Sequence, residues 1–319
     1  MYITLKAKDS SSVNSAIDSS AFQFRLKPVM KSSDRIDRRS VSRAIIERSS
    51  KITLFTVYLA LIACAHSSHI ERSIENAWQT NSSIPLAHVV DETLTIERAY
   101  EIQTRIVRRA LRDAKPAGFK AGLTSAPSRA RFGATSPIAG VLLTPAHLTP
   151  SKLDLNVLKG LYIEVEVAMR LRTPIRTRLA SIDELKSHID GIAPAIELPN
   201  LDYQDAQKLN ALDIVASNVA AAYFIVGSFA PVEERDPNAV SATLECDGKE
   251  LNVGQGHDAM GDQWAAALWL VNTMLDQGWT LESGQILLTG ALGKMIRAQP
   301  GRCSADFGDW GRLNVQVSQ

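Results

Sequence analysis

The feature that most constrains the fold is a series of short apolar runs after residue 117, each interrupted by Gly, Pro, Asn or Asp. Several of them alternate apolar and polar residues with a period of two, which is typical of β-strands. The runs are GFKAGLT, AGVLLT, YIEVEVAMRL, GIAPAIELP, AYFIVGS, SATLECDGKEL, QILLTGAL and LNVQVS. Because they outnumber the helical segments, we predict a mixed, β-rich α+β domain with a few flanking helices, and not a doubly wound sheet.

Two helices and one hairpin are predicted from local signals. Thr95 is a suitable N-cap for a segment with apolar residues at helical spacing, and the Pro and Gly of residues 115–118 end it. A second helix is predicted from Asp262 to Gln277, before Gly278. The Asp247-Gly248 pair between two alternating runs is typical of a tight hairpin turn.

The first 94 residues differ in composition from the rest. Residues 1–50 are rich in Ser, Arg and Asp, so we predict that they are disordered or that translation starts at Met30. Residues 51–65 are typical of a signal peptide, and the sequence ending in Cys64 resembles the lipobox of bacterial lipoproteins. Residues 66–94 are interpreted as a tether that can include a short helix, and residues 95–319 as the catalytic domain.

These segments predict an exported protein of a bacterium, either periplasmic or anchored to the membrane by a lipid on Cys64. The alternative is a cytoplasmic protein in which the apolar run forms a buried helix. The run is shorter than the roughly 20 residues that span a bilayer. Cys246 and Cys303 are interpreted as ordinary thiols, because three scattered cysteines do not form a disulfide framework.

The charge balance argues against a nucleic-acid partner. The chain has 35 Lys and Arg against 34 Asp and Glu, a formal net charge of +1. A protein that binds nucleic acid through its backbone phosphates usually carries a clear basic excess or a basic patch. We therefore expect a small-molecule ligand and no nucleic acid.

The strongest chemical signal is a group of three glutamates. Glu164 and Glu166 lie in a strand-like run where residues i and i+2 point to the same face, so their carboxylates stand side by side. The next strand-like run contributes Glu197 in an apolar frame. A pair of acids on a strand is also compatible with a solvent-exposed face. Close carboxylates repel one another unless a cation neutralises them, and such oxygen ligands suit Mg²⁺ or Mn²⁺.

Lys120 is the second candidate. It lies in a glycine-flanked run that is apolar apart from this lysine and Thr124. Lysine in such a run either extends to the surface along its aliphatic stem or is partly buried with a lowered pKa, which would suit proton transfer.

The ordered motifs resemble the fumarylacetoacetate hydrolase superfamily, most closely the branch of 2-oxopent-4-enoate hydratases and 4-oxalocrotonate decarboxylases. The resemblance covers nearly everything from Thr95 to the C-terminus. The motifs that carry it are Gly118-Phe-Lys-Ala-Gly-Leu-Thr124, Phe132-Gly133, Gly140-Val-Leu-Leu143, Ile163-Glu-Val-Glu166, Pro194-Ala-Ile-Glu197, Asp213-Ile-Val-Ala-Ser-Asn218, Gly227, Trp269-Leu-Val-Asn-Thr273, Leu288-Thr-Gly290 and Phe307-Gly308.

The resemblance implies a mixed β-roll, a homo-oligomer, and Mg²⁺ or Mn²⁺ held by the three glutamates. The metal would bind a small 2-oxo acid and stabilise its enolate, with Lys120 as general acid or base. Thr289 and Gly290 would hold the substrate carboxylate, and Asn218 would be a weaker pocket residue. The predicted activity is a hydratase, with 2-oxo acid decarboxylase or carbon–carbon hydrolase as alternatives on the same site.

The chain also departs from the pattern of the hydratases. Ile138 and Ala139 stand where an acid is expected, Tyr162 replaces an arginine, and Leu198-Pro-Asn-Leu-Asp202 replaces an Asp-Ser-Arg-like stretch. The metal ligands are therefore better matched than the groups that move protons. A non-catalytic protein that binds carboxylates is the remaining alternative.

Overall fold

The computed structural model describes residues 68–143 and 153–319, so the predictions for residues 1–67 lie outside the described chain. The described helices are α1 (68–80), α2 (Ala87–Val90), α3 (Ile96–Leu111), α4 (Ala126–Phe132), α5 (Ile182–Ser187), α6 (Ala211–Ala216) and α7 (Gln263–Asp276). The described strands are β1 (Gly118–Gly122), β2 (Ile138–Leu142), β3 (Leu153–Asp154), β4 (Tyr162–Leu171), β5 (Ile189–Leu198), β6 (Tyr223–Val226), β7 (Ser241–Cys246), β8 (Lys249–Gln255), β9 (Ile286–Leu288), β10 (Ile296–Arg297), β11 (Gly301–Asp306) and β12 (Arg312–Ser318). The predicted α+β class is confirmed.

The larger sheet has the strand order β2-β1-β9-β4-β5-β6, and β10 pairs with β4 outside this path. Its neighbours are antiparallel except β1 and β9, which run parallel. β4 and β5 are its longest strands and are buried along most of their length. They therefore form a rigid centre on which side chains can be held in fixed positions.

The smaller sheet has the strand order β3-β12-β11-β7-β8. β7 and β8 form the predicted hairpin, and Asp247 and Gly248 both adopt positive φ angles in its turn, of 49° and 77°. Such a turn requires left-handed backbone at both central positions, which explains the Asp-Gly pair.

The same sheet corrects the interpretation of the cysteines. Cys246 of β7 and Cys303 of β11 are direct partners in the strand register and form a disulfide, with their Cα atoms 4.0 Å apart. The prediction of two ordinary thiols was wrong because the cysteines are 57 residues apart, and only the pairing of β7 with β11 brings them together.

The helix beginning at Ile96 is confirmed, and its cap is the predicted one. The Thr95 hydroxyl accepts a hydrogen bond from the Arg98 backbone N–H, and the apolar stripe of α3 is buried. The Asp262 side chain likewise accepts from the Ala265 N–H at the start of α7. Among the described helices, none combines the length and the apolar character that a bilayer span requires.

The short helix in residues 66–94 is confirmed, but the interpretation of this segment as a tether is corrected. Residues 68–80 form α1, in which Ile70, Ile74 and Ala77 are buried in the core at the spacing of one helical face. Glu71 of α1 pairs with Arg105 of α3, with 2.6 Å between their atoms. The segment therefore packs as part of the domain, although its Ser, Glu and Asn content resembles that of a linker.

Candidate metal centre

The pairing of β4 with β5 brings the three predicted glutamates together. Glu164 and Glu197 are directly opposite each other in the antiparallel register, and Glu166 follows Glu164 on the same face. One carboxylate oxygen from each residue lies within 4.8 Å of the other two. Like charges directly opposite each other destabilise a sheet, so a cation at this cluster would stabilise the arrangement.

Lys120 supplies one positive charge to the same cluster. It lies on β1 and is buried, with 2% of its surface exposed, so the alternative of a surface lysine is wrong. Its ammonium forms an ion pair with Glu197 Oε1 and donates a hydrogen bond of 3.1 Å to the Val219 carbonyl. The amine is thus fixed between the acid cluster and a neighbouring loop.

The electrostatics of the cluster correct the expected lowering of the lysine pKa. Burial lowers the pKa of Lys120, but the opposing charges of Glu197, Glu164 and Glu166 outweigh burial and raise it above its usual value. Burial and repulsion from Glu197 raise the pKa of Glu164 to about 7. The same causes raise the pKa of Glu166 well above its usual value.

The donor set of the cluster fits a divalent metal. Glu166 Oε1 and Glu197 Oε2 are buried and accept no hydrogen bond from any described residue. Three carboxylates and one ammonium leave an excess of two negative charges when all are ionised. Carboxylate oxygens are the ligands that Mg²⁺, Mn²⁺ and Ca²⁺ prefer, so one such ion would satisfy both the charge and the free oxygens.

Gly290 lies beside this cluster. Its backbone N–H donates a 2.9 Å hydrogen bond to Glu166 Oε2, which orients that carboxylate. Its φ of 113° favours glycine, and a Cβ there would approach the Thr124 hydroxyl to 2.6 Å. Gly290 therefore lies at the acid cluster and its N–H is bonded to a protein carboxylate, while its predicted role in holding the substrate carboxylate stays a prediction.

Thr289 and Asn218 are bonded elsewhere in the protein. The buried Thr289 hydroxyl contacts Gln263 Oε1 and lies 3.1 Å from the Val167 carbonyl. Asn218 Oδ1 accepts from the Val141 N–H, and its Nδ2 donates to the Val141 carbonyl, both at 2.8 Å. Neither side chain lines the cavity described below, so their predicted roles as substrate contacts stay predictions.

A left-handed segment closes one side of the site. Asn218, Val219 and Ala220 have φ angles of 65°, 54° and 54°, and only the first is a residue type that tolerates this conformation well. Gly140 makes room for it, because a Cβ there would lie 3.0 Å from the Val219 side chain. Lys120 donates to the Val219 carbonyl of this segment, and the Asn218 side chain ties the segment to Val141 of β2, so strained backbone is held against the cavity.

A cavity of about 660 Å³ opens onto Lys120 and Glu164. Sequence reasoning did not assign the other polar groups in its wall to the site, although Thr124, Ser125 and Arg131 lie in or beside motifs that it had singled out. The other polar lining residues are Ser128, Asp258 and Lys294. No local pattern distinguishes these from ordinary loop and surface residues.

Comparisons with known proteins identify the family. The C-terminal family model of fumarylacetoacetate (FAA) hydrolase matches residues 126–318. The 2-keto-4-pentenoate hydratase of Paraburkholderia xenovorans (strain LB400) is 27% identical over 72% of this chain and 86% of its own length. The 2-oxo-hept-4-ene-1,7-dioate hydratase of Escherichia coli is 27% identical over 70% of this chain and 87% of its own.

Among solved structures, the 4-oxalocrotonate decarboxylase of Pseudomonas putida G7, complexed with magnesium and adipate, shares the fold. Its TM-score is 0.72 at 24% sequence identity, and the match covers 81% of this chain and 98% of that one. The family model covers more than half of the 319 residues. The chain therefore belongs to the fumarylacetoacetate hydrolase family.

Proposed function

We propose that this chain is a metal-dependent hydratase of a small 2-oxo acid such as 2-oxopent-4-enoate. The observation that carries the proposal is the convergence of Glu164, Glu166 and Glu197 within 4.8 Å of one another, beside a buried lysine and an open cavity. The names of the relatives support the coarser assignment, an enzyme that is either a hydratase or a decarboxylase.

A divalent cation held by the three glutamates would supply Lewis-acid polarisation of the substrate's 2-oxo group. Magnesium in the related decarboxylase supports the presence of such an ion, and the choice between Mg²⁺ and Mn²⁺ stays open. Glu164 faces the cavity, whereas Glu166 and Glu197 are fully buried, so the ion would meet the substrate on the Glu164 side.

Lys120 has two tasks in this proposal. Its ammonium lines the cavity and carries a proton at Nζ, which attracts the carboxylate of an entering 2-oxo acid. It can also donate that proton to a substrate oxygen or carbon, because the Glu197 contact and the Val219 carbonyl keep Nζ in one place.

The identity of the product tests the reaction. In a hydratase, water adds across the terminal double bond of 2-oxopent-4-enoate, with OH on C4 and H on C5, to give 4-hydroxy-2-oxopentanoate. NMR of the reaction mixture with Mg²⁺ or Mn²⁺ should show this compound. Release of CO₂ from an unsaturated 2-oxo dicarboxylate without hydration would instead favour the decarboxylase. Tight binding of 2-oxo acids without any product would favour the non-catalytic alternative.

Metal binding gives a separate test of the site. Calorimetric titration with Mn²⁺ should show one tight site in the wild type and none in Glu164→Gln/Glu166→Gln. Glu250→Gln, which removes an exposed acid of β8, is the matched control and should bind as the wild type does. Undiminished Mn²⁺ affinity in the double variant would remove the glutamates from the proposal.

We also propose that the chain is exported, with a lipid on Cys64 as the stronger form of the proposal. The Cys246–Cys303 disulfide supports it, because stable disulfides are typical of oxidising compartments. In a bacterial host, thiol labelling of the protein under denaturing conditions should find Cys246 and Cys303 blocked. If Cys64→Ser stays in the membrane fraction, the lipid anchor is wrong.

The homo-oligomer implied by the resemblance stays a prediction. Sedimentation analysis of the purified protein would measure its mass in solution.

A further inference from the structure

The wall of the cavity is uneven in charge. Its buried part holds Lys120 and Glu164, which belong to the proposed metal site. Two further cations, Arg131 and Lys294, line the same cavity but are exposed, so they lie at its opening. They come from different parts of the chain: Arg131 lies on α4, and Lys294 lies between β9 and β10.

Neither of these cations is neutralised by a carboxylate. Among the described residues, no Asp or Glu oxygen lies within 4.0 Å of either side chain. The Arg131 guanidinium lies 5.0 Å from the ring centre of Phe132, which is also part of the wall. The stacking on this ring leaves the N–H groups at the edge of the guanidinium available to an acceptor.

The other acid of the wall does not cancel this charge. Asp258 Oδ2 accepts a 2.7 Å hydrogen bond from the Gln255 backbone N–H, which holds that carboxylate in its own turn. Even when Asp258 is counted, two cations and one anion leave the opening with one net positive charge. An anionic group is therefore the ligand chemistry that this opening favours.

The remaining wall is mostly apolar. Such a surface accommodates a hydrocarbon chain and offers few groups that could solvate a charge in mid-chain. The apolar residues that line it include Leu123, Phe132, Ile138, Leu201, Val219 and Met295. A ligand matched to the whole cavity thus has a 2-oxo acid at one end, an apolar chain, and an anion at the other.

We propose that the substrate is a 2-oxo dicarboxylate whose distal carboxylate is bound by Arg131 and Lys294. This inference rests on the proposed function, because it places the 2-oxo end of the substrate at the metal site, and it replaces the monocarboxylate example 2-oxopent-4-enoate by a dicarboxylate. The relatives leave the point open, since one is named for a pentenoate and another for a 1,7-dioate. The two cations at the opening favour a dicarboxylate such as the 1,7-dioate.

Matched pairs of saturated 2-oxo acids test the proposal, because each pair differs only in the terminal group. The pairs are 2-oxopentanoate with 2-oxoglutarate, 2-oxohexanoate with 2-oxoadipate, and 2-oxoheptanoate with 2-oxoheptanedioate. Their dissociation constants for the Mg²⁺-loaded protein are measured by calorimetry at low salt. Deuterium exchange at C3 is followed by NMR as a separate measure of the proposed chemistry.

We expect the dicarboxylate of at least one pair to bind about tenfold more tightly than its monocarboxylate partner, as one charge-assisted hydrogen bond would give. Arg131→Gln/Lys294→Gln should abolish this preference and leave the affinity for the monocarboxylate unchanged. Both side chains are exposed, so the variant should fold, which its melting temperature checks. Lys249→Gln, at an exposed lysine of β8, is the matched control and should keep the preference.

The possible failures can be told apart. Equal affinity within every pair, together with exchange at C3, overturns the dicarboxylate proposal and leaves the proposed function standing. A preference that survives in the double variant overturns the assignment to Arg131 and Lys294. Absence of both binding and exchange for all six acids overturns the proposed function and this inference with it.

Discussion

The protein contains two kinds of buried polar group, which differ in whether their hydrogen-bond partners come from the chain itself. The side chains of Asn218 and Asn272 each accept from one backbone N–H and donate to the carbonyl of that same residue, Val141 and Leu179 respectively. In the acid cluster, Glu166 Oε1 and Glu197 Oε2 accept no hydrogen bond from the described residues. The amides are thus satisfied by the chain itself, whereas the acids need something from outside it.

This contrast separates stability from function. A buried polar group whose hydrogen bonds are all made contributes to the free energy of unfolding. Its removal lowers that free energy, because its former partners stay buried without a hydrogen bond. A buried cluster of like charges costs stability unless a ligand neutralises it. Substitutions in the amides should therefore lower stability and spare metal binding, and substitutions of the glutamates should do the reverse.

The largest effect is expected for Glu166→Gln. Glutamine can still accept the hydrogen bond from the Gly290 N–H, but it removes one negative charge from the metal site. We expect metal-dependent turnover to fall about 1000-fold, which corresponds to about 4 kcal/mol of lost stabilisation. The melting temperature of the metal-free protein should stay the same or rise, since a repelling charge is gone. A marked fall in that temperature would show that Glu166 stabilises the fold, as the buried amides do.

Lys120→Met, unlike Glu166→Gln, should lower the stability of the metal-free protein. Loss of the ammonium leaves three buried carboxylates without their compensating charge, so the free energy of unfolding should fall by about 3 kcal/mol in metal-free buffer. Saturating Mg²⁺ should restore part of this loss, because it supplies positive charge to the same oxygens. Denaturant unfolding with and without Mg²⁺ measures both values. Lys208→Met, whose exposed pair with Asp205 spans 3.4 Å, is the control and should change stability little.

Features that depend on local sequence patterns could be predicted from the sequence. The glutamates were found because period-two spacing puts Glu164 and Glu166 on one face, and Glu197 lies in the next run of the same kind. The helices beginning at Ile96 and Gln263 were found because their caps and apolar stripes are local signals. Local patterns thus identify the elements and the charged residues that a strand carries.

The rest depends on contacts between distant parts of the chain. Neither Asn218 nor Thr289 carries a signal that distinguishes a pocket residue from a structural one, since their partners lie 77 and 26 or more residues away. The buried face of α1 was hidden in a polar stretch whose ion pairs are made with α3. The direction of the Lys120 pKa also required the register that puts acids beside it.

Asn218→Ala tests the amide side of the comparison. The substitution leaves the N–H and the carbonyl of Val141 without their partner, and it puts alanine at a φ of 65°. We expect the free energy of unfolding to fall by about 2 kcal/mol and the Mn²⁺ affinity to change less than twofold. Asn314→Ala, at an exposed position of β12, is the control. A large loss of Mn²⁺ affinity would show that the left-handed segment positions Lys120 for the metal site.

The smallest effect is expected for Thr289→Val. The sequence predicts that Thr289 binds the substrate carboxylate, whereas its hydroxyl has partners within the protein, and this substitution distinguishes the two roles. Valine keeps the shape of threonine and removes only the hydroxyl that lies between Val167 and Gln263. If the hydroxyl is structural, the free energy of unfolding should fall by about 1 kcal/mol, while the affinity for 2-oxo acids stays constant. If the hydroxyl instead holds the substrate carboxylate, calorimetry should show affinity falling about tenfold at nearly unchanged stability. Each measurement falls in one outcome and stays nearly constant in the other, so even this small change assigns Thr289 to one side of the comparison.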